Sequence, residues 1–183
     1  MEVPENVYYP QEDSLLLAKA LDGIDVKGKR ALEVGCGSGL LSIIMAKSGA
    51  DVTAVDINEE AVETAKINAS DNEADINCFV SDLFSNVSGV FDMIIFNPPY
   101  LPVEPGENDP TYAGGTTGRD TIEMFIAGVK EHLKLDGTVL LLISSLTGEE
   151  EVVKLFEKEG MATRSIAREK IPWEELIVIE ACL

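Results

Sequence analysis

Apolar positions along the chain fall into two rhythms. Short continuous runs, "RALEVG" (30–35), "DVTAVDI" (51–57), "INCFVSD" (76–82), "FDMIIF" (91–96) and "GTVLLLISS" (137–145), have the length and branched content of buried strands. Between them lie stretches with helical character: "SGLLSIIMAKSG", "NEEAVETAKINASDN", "TTGRDTIEMFIAGVKEHLK" and "EEEVVKLFEKEG". Asn58 is the expected N-cap of the second of these. Thr117 and Asp120 suggest a capping-box-like start for the third, and Gly160 ends the fourth. "EDSLLLAKAL" near the start reads as an extra amphipathic helix, and the closing "MATRSIAREKIPWEELIVIEACL" as two strands around Pro172. Strands alternating with helices predict an α/β fold: a mostly parallel sheet covered on both faces. The last two strands have no helix between them, so they are expected as an antiparallel hairpin at one edge. One long irregular segment remains, "PPYLPVEPGENDPTYAGG" (98–115), and loops of that length in a compact domain are commonly functional or disordered.

Composition narrows the classes. The chain has 183 residues, suited to one domain spanning 1–183. No apolar run approaches the roughly 18 residues a membrane span needs, and the acidic, polar opening does not read as a signal peptide. Cys36, Cys78 and Cys182 have neither metal nor redox spacing, so no metal site is expected, and the thiols suit a reducing, cytoplasmic compartment. With a single histidine, His132, chemistry that needs a His base is disfavoured. Net charge is −19, and between Ser48 and Val129 only Lys66 and Arg119 are basic. Nucleic-acid binding, which needs cations for phosphates, is therefore not expected.

The first strand runs into Gly35-Cys36-Gly37-Ser38-Gly39 and then a helix, a turn that lets backbone approach a ligand closely. Asp56 ends the second strand about 20 residues on, where a ribose would be held. Dinucleotide sites favour G-x-G-x-x-G at a helix N-terminus. Here the spacing is G-x-G-x-G, and it is preceded by Glu33. A carboxylate there repels a pyrophosphate and suits a cation, which fits S-adenosylmethionine, a sulfonium and ammonium compound without phosphate. The fourth strand ends in Asn97-Pro98-Pro99-Tyr100. Two acceptors, the Asn97 side-chain oxygen and the Pro98 carbonyl, suit the two N–H groups of a planar amide or exocyclic amine. Pro98 keeps Asn97 extended, and Tyr100 offers a flat face. Catalysis would be mostly in-line positioning.

"LEVGCGSG" resembles the glycine motif of the seven-strand, Rossmann-like methyltransferases, and "SDLF" (81–84) their acidic loop after strand three, in which Asp82 would meet the adenine amino group. With "VYYPQEDSLLLAKAL" and "YAGGTTGRDTIEMF", the whole chain resembles a HemK-type protein-glutamine methyltransferase. That resemblance implies methylation of a glutamine amide in a class 1 peptide-chain release factor. It implies a cofactor site at Ser14, Glu33, Gly35, Cys36, Gly37, Gly39, Asp56, Ile57, Asp82, Leu83 and Asn97, with Glu-Asp-Ser capping the first helix and residues 1–28 packed on that site. It implies catalysis at Asn97, Pro98, Pro99 and Tyr100. About ten residues precede the first helix, as in the short archaeal and eukaryotic subgroup, which works with a small zinc-binding activator similar to Trm112. A heterodimer is the corresponding expectation, with the activator adding a strand beside an open edge at "INCFV". "KIPWEEL" departs from the family's glycine-bearing turn. Methylation of an adenine or guanine amino group is the alternative reading. Glu104, Glu107 and Asp109, without any Lys or Arg from Tyr100 to Gly118, argue against it. Lysine methylation and a purely supporting cofactor-binding subunit are further alternatives.

Overall fold

The computed structural model describes residues 2–104, 106 and 111–183. Its elements are α1 (Glu12–Leu21), β1 (Arg30–Val34), α2 (Leu40–Lys47), β2 (Asp51–Asp56), α3 (Glu59–Asp71), β3 (Ile76–Val80), β4 (Phe91–Phe96), α4 (Asp120–His132), β5 (Leu133–Ser144), α5 (Glu149–Lys158), β6 (Ala162–Ile171) and β7 (Glu174–Cys182). The strands form one seven-stranded sheet in the order β3-β2-β1-β4-β5-β7-β6. The first five strands pair in parallel, and β7 runs antiparallel to both β5 and β6. The expected α/β sheet with an antiparallel edge hairpin is thus what forms, and β3 lies at the opposite edge.

The continuous apolar runs have their cause in burial on both faces. Leu32, Val34, Ile94, Phe96, Val139 and Leu141 pack with Phe125 of α4 and Phe156 of α5. Their sequence neighbours Ala31, Met93, Ile95, Leu140 and Leu142 pack on the other face with Leu17 of α1 and Met45 of α2. Alternate residues thus serve opposite layers, and each large side chain buried this way contributes about 1.5–3 kcal/mol. β1 leads outward to β2 and β3, while β4 leads the other way to β5. The crevice between the carboxyl ends of β1 and β4 is where such sheets place ligands.

Two boundaries differ from expectation. α4 begins at Asp120, and Arg119 occupies the N-cap without a side-chain cap, so Thr117 and Asp120 form no capping box. The chain before it turns through Gly118 at φ +70°, and the Asp120 N–H donates to the Gly114 carbonyl. β5 starts at Leu133 rather than 137, because buried Leu133 pairs with Phe91 directly at the helix exit. The hairpin forms despite its unusual turn. Ile171 pairs with Glu174, leaving Pro172 and Trp173 as the two-residue loop. Trp173 takes φ +79°, the left-handed conformation that a glycine would adopt at no steric cost.

Candidate functional site

A cavity of about 790 Å³ opens at the carboxyl ends of β1, β2 and β4. All the residues singled out above line it except Gly39: Ser14, Glu33, Gly35, Cys36, Gly37, Asp56, Ile57, Asp82, Leu83 and Asn97 to Tyr100. Gly39 sits behind the wall as the N-cap of α2, and a Cβ there would meet Ala65 of α3 at 3.0 Å. Its role is packing the turn onto α3. The turn itself needs left-handed backbone at Gly35 (φ +64°) and Gly37 (φ +50°), and a Cβ on Gly35 would stand 3.0 Å from the Phe96 ring. Fully buried Asn68 of α3 clamps the turn from below, donating to the Ser38 carbonyl at 2.9 Å and to Glu2 at 3.1 Å.

The acids of the site differ in environment. Glu33 is buried at the end of β1, and its Oε2 accepts from the backbone and hydroxyl of Ser42 on α2. Burial pushes its pKa up to about 8 against the opposing pull of those two donors, so the free protein holds it largely protonated at neutral pH. Asp56 accepts from Gly37 N and Asn58 N, each at 2.9 Å, one bond to each oxygen. A carboxylate keeps further lone pairs for a second donor on each. Burial raises the Asp56 pKa too, offset in part by those backbone donors. Asn58 also caps α3 as expected, accepting from Glu60 N. Asp82 is exposed at the rim, and its turn is held by Ser81 and Ser85 hydroxyls rather than by its own carboxylate. Next to it Leu83 adopts φ +46°, and Ile57 leaves 60% of its surface exposed towards the cavity. The Cys36 thiol meets Cys78 at 3.8 Å, and that contact together with burial pushes its pKa well up, so it is not a nucleophile. His132 is not among the cavity residues and stacks on Phe84.

At the end of β4 a hydrogen-bond chain orients Asn97. The Ser14 hydroxyl donates to Asp13 Oδ1 (3.2 Å) and accepts from Asn97 Nδ2 (3.3 Å). Buried Asp13 also accepts from Tyr8 Oη (2.7 Å) and from Ser14 N. One N–H of the Asn97 amide is thereby committed, and its Oδ1 is left buried without a partner. Tyr100 is half-buried nearby, and burial followed by the Asp13 charge pushes its hydroxyl pKa far up, so it stays neutral. α1 starts from Gln11 without a side-chain cap; the Glu-Asp-Ser stretch lies inside its first turn, where Asp13 serves the site instead of capping the helix. Asp13 and Tyr8 escaped the sequence reading, although both fall in the opening stretch. So did Gly118. A Cβ there would lie 2.3 Å from the Tyr100 carbonyl, so only glycine lets the segment before α4 pass under that loop. The two limbs of the irregular segment zip together, with Leu101 N donating to the Tyr112 carbonyl and Gly114 N to the Leu101 carbonyl. Glu107 and Asp109 lie outside the described residues.

The donor set suits a cationic adenosine compound. Six acidic side chains line the cavity, those of Glu12, Asp13, Glu33, Asp56, Asp82 and Glu174, and among the described lining residues there is no Lys, Arg or His to meet a phosphate. The family model for the methyltransferase small domain matches residues 11–169. The chain belongs to that family. Within it, this methyltransferase is of the HemK type and uses S-adenosylmethionine. It is 46% identical over 99% of its length to a Methanocaldococcus jannaschii protein that carries the provisional name protein N5-glutamine methyltransferase, covering 94% of that relative. It is 31% identical to human methyltransferase HEMK2 over 90% of this chain and 84% of that one. Among solved structures it resembles a chain from the structure of the E. cuniculi Mtq2–Trm112 complex, which is responsible for methylation of the translation termination factor eRF1, with TM-score 0.81, 26% identity, and coverage of 96% of this chain and 98% of that one. No helix among the described residues is long and apolar enough to cross a membrane.

Proposed function

We propose that the chain transfers a methyl group to the side-chain amide nitrogen of a glutamine in a class 1 release factor, acting in the cytoplasm as a heterodimer with a small zinc-binding, Trm112-like activator. The observation that carries this reading is the buried, unpartnered Oδ1 of Asn97, held in the cavity by the Ser14–Asp13 chain. It is an acceptor waiting for an N–H, and a buried acceptor left empty costs about 1–3 kcal/mol. A primary amide offers two such hydrogens, one for Oδ1 and one for the Pro98 carbonyl, with its plane against Tyr100. Accepting both N–H bonds pushes electron density onto a nitrogen whose lone pair is otherwise delocalised.

S-adenosylmethionine, when bound, supplies an electrophilic methyl on a sulfonium. In this reading Asp56 would accept from the ribose hydroxyls and Asp82 from the adenine amino group, Ile57 and Leu83 would flank the flat ring, and Glu33, Ser14 and the Gly35–Gly37 turn would serve the amino-acid end; their lining of one cavity supports it. Neutral Tyr100 is not a strong base, and none is needed, since the proton leaves to water after transfer. The names of the relatives support a protein glutamine, and the Mtq2 complex supports the partner. The open edge at β3, with Val80 41% exposed, is where an added strand would pair.

The test is labelled methyl transfer to the release factor from the same organism, with and without the activator, followed by mass spectrometry of the labelled peptide. Label on glutamine is expected, and Asn97→Ala should cut turnover by about 10²-fold while cofactor affinity changes little. Label confined to nucleic acid or lysine would overturn the reading.

A further inference from the structure

Two side-chain oxygens are buried without a hydrogen-bond partner among the described residues: Asn97 Oδ1 and Glu174 Oε2. Both residues line the same cavity. Asn97 has a role in the reaction proposed above, and Glu174 has none. Glu174 opens β7 directly after the Pro172–Trp173 turn, so it stands at the same end of the sheet as the carboxyl end of β5. It lies close enough to Tyr100 for its charge to be among the causes that raise that hydroxyl's pKa.

The other carboxylates around this hairpin are either paired with an arginine or, like Glu169, exposed to water. Glu175 and Glu149 both pair with Arg168, and Glu180 pairs with Arg164. Glu174 alone in this group has a buried, unpartnered oxygen and lines the cavity. A buried carboxylate oxygen without a donor is costly, and charge compensation relieves it better than a neutral N–H. The described cavity wall offers no cation of its own, so the compensating group must arrive with the ligand. S-adenosylmethionine's cationic groups have Glu33 and its surroundings at the β1 end, on the far side of Asn97 from β7 in the strand order.

We infer that Glu174 is a specificity-determining residue that receives an arginine or lysine side chain of the substrate, flanking the residue that Asn97 holds for methylation. This rests on the protein-methylation reading above.

The experiment uses the full chain saturated with S-adenosylhomocysteine and short fluorescein-labelled peptides, read by anisotropy. The central residue is glutamine or alanine, and one flanking position carries arginine or its neutral isostere citrulline. At one flanking position the arginine peptide should bind about tenfold tighter than the citrulline peptide, as for a single charge-assisted hydrogen bond. Glu174→Gln should erase that gap and leave S-adenosylhomocysteine affinity unchanged. Should the Gln variant fail to melt cooperatively, Glu174→Met, similar in volume and without a buried polar atom, repeats the comparison. Equal binding of arginine and citrulline peptides by the wild type, no binding of any arginine peptide, or a gap that survives in the variant overturns the inference. A gap that persists with alanine at the centre, while no glutamine peptide is methylated once S-adenosylmethionine replaces S-adenosylhomocysteine, would sink the glutamine reading and leave Glu174's role standing.

Discussion

Glu33 provides the sharpest test of the electrostatics of this site. Its folded pKa of about 8 stands against an ordinary value of 4.5. The sign follows from the raised value: the neutral acid's contribution to stability is fully present below pH 4.5 and is lost as pH rises through 8. At about 1.4 kcal/mol per unit, the difference amounts to roughly 5 kcal/mol across that window. Glu33→Gln replaces the neutral acid with a near-isostere that cannot ionise, and the Ser42 hydroxyl and N–H retain an oxygen to donate to. Urea melts of the cofactor-free proteins from pH 5 to pH 9 should therefore diverge. The wild type should lose stability relative to the variant by about 1.4 kcal/mol per pH unit up to about pH 8 and run parallel above it. Asp56, also raised by burial, is common to both proteins and largely cancels in the difference. Cofactor binding should show the same proton. At pH 7 Glu33 is mostly protonated in the free protein, and a bound cation draws it towards the ionised form, so binding should release a substantial fraction of a proton. Titration calorimetry in buffers of different ionisation enthalpy measures this directly. Parallel melts and buffer-independent enthalpies would refute the reasoning.

Asp56→Ala removes charged hydrogen bonds worth about 1.5–3 kcal/mol each, so S-adenosylmethionine affinity should fall at least about tenfold by calorimetry. Gly118→Ala places a methyl 2.3 Å from the Tyr100 carbonyl at φ +70°, and should abolish turnover far more than it weakens cofactor binding. Trp173→Gly relieves a left-handed bulky residue, a strain of about 1–2 kcal/mol. After the entropy a glycine gains in the unfolded chain, it should raise stability by about 0.5–1 kcal/mol in a urea melt.

The sheet was legible because its strands are buried on both faces, so runs such as "FDMIIF" are apolar without interruption and cannot be exposed loops. The glycine turn, Asp56 and the Asn97–Tyr100 stretch were legible because their chemistry is local: each sits directly after a strand end. What escaped depends on distant approach. Nothing about Gly118 in the sequence says that the Tyr100 carbonyl passes over it. Asp13 looks like a helix-start acid until the fold brings Asn97 to the neighbouring Ser14 hydroxyl. The start of β5 was hidden because "LKLDG" is polar and turn-like, while Leu133 finds its partner, Phe91, only across the sheet. Glu174 reads as one acid among 33 Asp and Glu residues, and only the absence of a neighbour in three dimensions sets it apart.

The hairpin tip has a spectroscopic consequence. Trp173 is the chain's single tryptophan, and 96% of its surface is exposed. Its emission in the native protein is therefore already that of a water-bathed indole, and unfolding moves it little, so melts must be followed by circular dichroism. The same property makes the native chain a ready-made probe of encounter. Whatever macromolecule covers the tip beside Glu174 will shift that emission to the blue and shield it from iodide, with no label attached.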